Sequence, residues 1–256
     1  MNIADYLLEN GDNAKVAVTM EDCQYTYADI RKAAASLVHI LRSQGVEAGD
    51  SVGLLGSNSL FWIGAYLAIM KLGAVAVPFS TMAMPEEVQA QIQFAQCRAV
   101  CVQHRFYGRY ESALQSGLRL VFDDSTNLPG AEWDALPVDA EFDETREAAL
   151  MFTSGTTQRP RAVRISHRNI RANTDSIIEY LELDANECIM VILPFYYCFG
   201  TSLLHSHMRV NGSMVISNGF TFPEKVLDLM ETYGCTGIAG VPSTYQTFIR
   251  NTSMAK

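Results

Sequence analysis

Residues 150–169 read LMFTSGTTQRPRAVRISHRN. An apolar run, Leu150–Phe152, leads into the small residues Thr153–Thr157, and then Arg159, Arg161 and Arg164 gather around Pro160. Loops that hold phosphate use inward-pointing backbone N–H groups and hydroxyls, with a cation to neutralise the remaining charge. This stretch offers hydroxyls from Thr153, Ser154, Thr156 and Thr157, close backbone approach at Gly155, and guanidinium groups beyond. Ser, Thr and Gly are equally the ordinary residues of a polar hairpin between strands. On composition both readings stand. The stretch does not match G-x-x-x-x-G-K-[ST], and the chain carries no G-x-G-x-x-G, which counts against a nicotinamide-dependent oxidoreductase.

Working outward, strand-like and helix-like segments alternate. AALMFTS and AVRIS flank the loop as strands, and a helix is expected from about His167 to Leu183. Upstream, Thr26 is placed to cap a helix with Asp29 at its third position, and Ile30, Ala34, Leu37 and Leu41 keep helical spacing up to Gly45. SVGLLG, AVAVP, RAVCVQ and LRLVFD read as strands, with helices expected over Ser59–Leu72, Pro85–Gln96 and about 106–116. Apolar runs without alternation suit parallel strands covered on both faces. The acidic, turn-rich stretch 123–147 is expected to cross the surface. Downstream come CIMVILP, a helix after Gly200, SMVIS, a helix over Pro223–Tyr233 and CTGIAGVP. The fold class is α/β with mostly parallel sheets flanked by helices.

Composition narrows the partners. At 256 residues, 48% hydrophobic and 18% charged, the chain can bury a sizeable core. A formal charge of −9 without a basic face argues against nucleic acid. The longest apolar run, Phe61–Met70, is too short for a transmembrane helix, and the N-terminus MNIADYLLENGD lacks the pattern of a secretory signal. The six cysteines form no C-x-x-C pair and are expected to be reduced core thiols of a cytoplasmic protein.

TSGTTQRPRAV resembles the signature of the AMP-forming adenylating enzymes (acyl-CoA synthetases, adenylation domains and luciferases), written [ST]-S-G-[ST]-T-G-x-P-K-G-V. The resemblance runs in order along the chain. YTYADI, GDSVGLLGSNS, AYLAIMKLGAVAVPFS, SHRNI, LPFYYCFG and GVPSTY are each similar to a family motif at family-like spacing. The chain departs from the pattern at Gln158 and Ala162, where the family has glycine, and at Arg161, where it has lysine. Arginine keeps the charge but replaces a compact ammonium with a planar fork. A lost glycine restricts the backbone wherever the loop needs positive φ.

The resemblance implies that residues 1–256 are the front portion of the large AMP-binding domain of the acyl-CoA synthetase-like fold. The rest of that domain and the small domain are expected beyond Lys256. It implies an ATP-dependent ligase that activates a fatty or aryl acid as an acyl-adenylate, with Mg2+, for transfer to coenzyme A or a carrier-protein phosphopantetheine. Thr153, Ser154, Gly155, Thr156, Thr157 and Arg161 would bind nucleotide, and Tyr197, Phe199, Gly200, Val241 and Pro242 would border the acid. Tyr197 stands where many acyl-CoA synthetases carry histidine; a phenol donates a hydrogen bond there but is a poor base at neutral pH. Core packing is the alternative for Tyr197 and the favoured reading for Tyr196 and Phe199. Residues 195–198 offer no carboxylate for an α-ammonium group, so an α-amino acid substrate is not expected.

No catalytic residue is assigned within the chain, which is expected to form no adenylate alone and to self-associate through uncovered apolar surface. The alternative function is a non-catalytic module that binds nucleotide, acid or a partner chain. His205 and His207 are two apart on a helix and make a poor zinc pair. His167 reads as a structural hydrogen-bonder, and Cys97 with Cys101 as core packing.

Overall fold

A computed structural model describes residues 1–256 except 22, 115–116, 140, 154–159, 221 and 253–256. The described elements run α1 Ile3–Leu8, β1 Val16–Met20, β2 Cys23–Thr26, α2 Tyr27–Ser43, β3 Ser51–Leu55, α3 Leu60–Lys71 and β4 Val75–Phe79. Next come α4 Pro85–Ala95, β5 Ala99–Val102, α5 His104–Leu114, β6 Arg119–Phe122 with a short 3-10 turn, and the hairpin strands β7 Glu147–Phe152 and β8 Ala162–Ser166. The series closes with α6 His167–Leu181, β9 Cys188–Val191, α7 Cys198–Arg209, β10 Ser213–Ile216, α8 Pro223–Tyr233, β11 Gly237–Ile238 and α9 Pro242–Asn251.

The strands form two sheets, in the orders β11-β9-β10-β1-β2 and β6-β5-β3-β4-β7-β8. All pairings are parallel except β1 with β2 and β7 with β8. Side chains alternate strictly between the two faces. Ile189 and Val191 of β9, and Met214 and Ile216 of β10, enter one apolar cluster, while Met190 and Val215 enter another. The larger cluster takes side chains from both sheets and from α1, α2, α3 and α7, so these helices fill the space between the sheets. Helices α4 and α5 cover the outer face of the six-stranded sheet, and α8 and α9 that of the five-stranded one. The apolar run of Phe61–Met70 is thus explained, because α3 is buried from Phe61 to Lys71. Lys71 at its end stays buried by pairing with Asp5 at 2.5 Å and sitting 4.9 Å from the Trp133 ring centroid.

Local signals act as the sequence implies. Thr26 and Asp29 form a reciprocal capping box on α2, and Gly45 ends that helix with φ +76°. Pro85 and Pro223 open α4 and α8. Three expectations need correction. The stretch 123–147 does not merely cross the surface, since Ala131, Trp133 and Leu136 are buried in the central cluster. Helix α7 starts at Cys198, ahead of Gly200, because Tyr197 already accepts the first helical hydrogen bond from Thr201 N–H at 3.0 Å. Cys23 and Cys198 are exposed, not core thiols.

Candidate functional site

The loop of residues 153–161 leaves the C-terminal end of β7, the kind of strand end outside which open α/β sheets bind ligands. Its mouth is closed by Thr153 N–H donating to the Arg161 carbonyl at 3.0 Å, with Phe152 opposite Ala162 one step further in. Ser154, Gly155, Thr156, Thr157 and Gln158 lie outside the described residues. Thr153 and Arg161 are exposed, and among the described residues Arg161 makes no ion pair. Arg164 is already engaged: its guanidinium pairs with Glu147 of β7. Ala162, where glycine was expected, begins β8 and is not among the described residues with positive φ. At that position the missing glycine carries no conformational cost.

The second part of the site is the turn Leu193–Tyr197 and the start of α7. Phe195 is fully buried and packs on Trp62 with ring centroids 5.3 Å apart. The core-packing role expected of Tyr196 and Phe199 therefore belongs to Phe195. Phe199 is 46% exposed and Tyr197 52% exposed, and the Tyr197 ring meets Tyr196 edge-on at 4.6 Å. Gly200 has no room for a side chain, since a Cβ there would sit 2.1 Å from the Pro194 carbonyl oxygen. The turn is clamped by Asn58, a residue that sequence reasoning did not single out. Its side-chain amide accepts from Phe195 N–H at 2.8 Å and donates to the Leu193 carbonyl at 3.0 Å, and its own carbonyl accepts from Asn218 at 2.8 Å. Nothing local in the sequence marks Asn58, because its partners Leu193 and Phe195 lie far along the chain.

Two cavities lie along α7. One of about 360 Å³ runs between the β7–β8 hairpin, α6 and α7, lined by Met151, Val163, Arg164, Thr201, Ser202 and His205 among others. The other, of about 530 Å³, is lined by Ile189, Phe199, Leu203, Ile238, Gly240 and Tyr245 among others. Ser202 lines both, so the two cavities are neighbours on α7. Phe199 lines the larger one, whereas Tyr197, Gly200, Val241 and Pro242 are not lining residues; Val241 and Pro242 follow directly as the exposed start of α9.

His205 and His207 line different cavities. His205 shares a 2.9 Å hydrogen bond with the Tyr66 hydroxyl, and His207 Nδ1 lies 2.9 Å from the Leu203 carbonyl. Burial lowers His205 to about 3 and also lowers His207. His167 accepts Ile3 N–H at Nδ1, 3.1 Å away, as a structural hydrogen-bonder; burial, helped by Arg146 and the N-terminal ammonium, lowers it to about 4.

The family model of AMP-binding enzymes matches residues 9–256. The chain belongs to that family. An acyl-CoA ligase, sidI, of Beauveria bassiana is 23% identical over 94% of this chain and 46% of its own length. A feruloyl-CoA synthase of an Amycolatopsis species is 28% identical over 86% of the chain and 44% of its own length. The chain thus spans about half the length of these AMP-binding relatives. The solved N-terminal domain of FACL13 from Mycobacterium tuberculosis superposes with a TM-score of 0.89 at 21% identity, covering all of this chain and 66% of that one. Apo MatB from Rhodopseudomonas palustris gives 0.85 at 23% identity, covering 98% of this chain and 51% of that one. The α/β architecture is that of the N-terminal domain of adenylate-forming ligases.

Proposed function

We propose that residues 1–256 are the front portion of the large domain of an AMP-forming ligase that activates a fatty or aryl acid. In this reaction a carboxylate oxygen attacks the α-phosphorus of ATP, pyrophosphate leaves, and the acyl group then passes to the thiol of coenzyme A or a carrier-protein phosphopantetheine. The substrate carboxylate is already ionised, so catalysis is mostly positioning and charge neutralisation. The observation that carries this reading is the match of the AMP-binding family model over residues 9–256, and an apolar cavity beside α7 offers room for the acid.

Under this reading, Thr153–Thr157 and Arg161 take the β- and γ-phosphates. The exposed Arg161, without an ion pair among the described residues, fits that task better than Arg164, which Glu147 occupies. Tyr197, Phe199 and Gly200 border the acid, with Tyr197 free to turn its hydroxyl to a carboxylate and Phe199 beside the apolar chain. Val241 and Pro242 form the next edge. In this reading Mg2+ accompanies the triphosphate.

An apolar acid is supported by Ile189, Leu203, Ile238 and Ala239 in the larger cavity; the one carboxylate there, Glu187, accepts a hydrogen bond from Thr236. Pyrophosphate exchange by the whole protein tests the reading. Fatty or aryl acids should drive it and α-amino acids should not. Robust exchange with an amino acid and none with simple acids would overturn the substrate class.

A further inference from the structure

The fold sorts the cysteines into kinds. Cys97 and Cys101 are buried, and burial pushes both thiols up to about 12, which leaves them inert. Cys188 and Cys235 differ. They are 47 residues apart in sequence, yet their sulfurs lie 4.0 Å apart, half-buried at the β9–β11 edge of the five-stranded sheet.

The backbones there are already fixed. Cys188 opens β9, and Cys235 follows α8 and Gly234, two residues before β11. Thr236 N–H donates to the Cys188 carbonyl at 2.7 Å, and Cys188 N–H donates to Thr236 Oγ1 at 3.0 Å. Cys235 N–H donates to the Met230 carbonyl at 2.8 Å. A disulfide needs an S–S distance of about 2.05 Å, so the sulfurs must approach by roughly 2 Å.

The two thiols also differ in readiness. A hydrogen bond from Cys235 lowers Cys188 to about 7 against the opposing effect of burial, and the Lys15 ammonium assists. The same bond raises Cys235. That makes Cys188 the attacking sulfur, and the bond that raises Cys235 is lost once Cys188 is in a mixed disulfide.

We propose that Cys188 and Cys235 are a redox-active dithiol that closes to a disulfide across the β9–β11 edge by exchange with a low-molecular-weight disulfide such as glutathione disulfide. The Cys188 thiolate bonds to one glutathione sulfur, the glutathione S–S bond breaks, and the departing thiolate takes up a proton. Cys235, giving up its proton, then bonds to the Cys188 sulfur and releases the second glutathione. Two protein thiols are oxidised and one disulfide is reduced to two thiols. The bridge would fix β11 and the following Ala239 and Gly240, which form a wall of the larger cavity. It does not depend on what that cavity binds.

The test is a disulfide map of the purified protein after equilibration with glutathione disulfide under native conditions, acid quench and alkylation. The intact mass should fall by about 2 Da, with one cross-linked peptide pair joining Cys188 and Cys235 that a reductant reverses. Cys235→Ser should stop at a single glutathione adduct on Cys188. Closing a loop of this size should also raise the melting temperature by on the order of 5 °C. Free alkylation of both cysteines after oxidation, a lasting glutathione adduct on the unsubstituted protein, or a bridge through Cys23 or Cys198 instead would each overturn the proposal. The map of the unsubstituted protein decides even if the variant does not fold.

Discussion

Replacing Gly200 with alanine puts one methyl group where the backbone has left no space. Its Cβ would lie 2.1 Å from the Pro194 carbonyl oxygen, 2.7 Å from the Pro194 carbonyl carbon and 3.2 Å from the Phe195 Cα. Ordinary C···O approaches are about 3.3–3.6 Å, so the turn must retreat by more than about 1 Å. The obstacle is backbone, and the turn is anchored by Phe195 in the core and by Asn58 on both sides. Overpacking of this kind costs about 1–3 kcal/mol, and a strained Asn58–Phe195 hydrogen bond adds about 1 kcal/mol. Alanine recovers about 1 kcal/mol as the better helix former, leaving a net loss of about 1–3 kcal/mol.

The control is Gly108→Ala in α5, where a Cβ meets nothing within 4 Å. That variant should be stabilised by about 0.5–1 kcal/mol. Urea unfolding followed by tryptophan fluorescence reads both, since Trp62 packs directly on Phe195. Opposite signs are expected from the same chemical change. If Gly200→Ala were as stable as the starting protein, or moved with Gly108→Ala, the close approach of α7 to the turn would be refuted.

Asn58→Leu should cost about 2–4 kcal/mol in the same assay, because Phe195 N–H and the Leu193 carbonyl lose buried partners; an unchanged urea midpoint would remove Asn58 from its clamping role. His167 and His205 are held neutral at about 4 and 3, below the ordinary 6.5, so the unfolded chain binds more protons as pH falls. Stability should therefore be full above pH 6.5 and decline below it, by up to about 1.4 kcal/mol per pH unit for each histidine, until His167 titrates near 4 and His205 near 3. His205→Gln should flatten the slope measured by urea unfolding between pH 6.5 and 5, and an equally steep slope in the variant would contradict the assignment. In the whole protein Arg161→Ala should weaken ATP binding by about tenfold or more with little change in stability, read by calorimetry; unchanged affinity would remove Arg161 from the phosphate site. Gln158→Gly should raise ATP affinity if the family's glycine was lost at a cost, and leave it unchanged if the loop has adapted.

What the sequence made legible is what short-range chemistry determines. The Thr26–Asp29 capping box, the helix-opening prolines at 85 and 223 and the strands flanking the loop all rest on neighbours within a few residues. The parts that stayed hidden depend on distant partners. Asn58 looks like any loop asparagine until the fold brings Leu193 and Phe195 to it. Among the aromatics of LPFYYCFG, only the direction of the turn decides that Phe195 points inward and Phe199 outward. The hairpin of β1 and β2 stayed unread because β2 is largely exposed and β1 is stabilised by β10, far along the chain. Motif resemblance reached the family, while the roles of single side chains in the turn needed geometry.

The seat of β1 between β2 and β10 has a consequence for how the protein is made. Val18 has its parallel partner at Met214, so the middle of the five-stranded sheet cannot close until almost the whole described chain has been synthesised. At about 5–20 residues per second, roughly 200 intervening residues take on the order of 10–40 s. Throughout that interval β1 and β2 can pair only with each other, and a lone hairpin of this length is marginal in water. The six-stranded sheet, whose strands all lie between Ser51 and Ser166, is complete well before then. The nascent chain therefore emerges with its first strands waiting, their apolar face open to chaperones, for a partner that follows about 200 residues later.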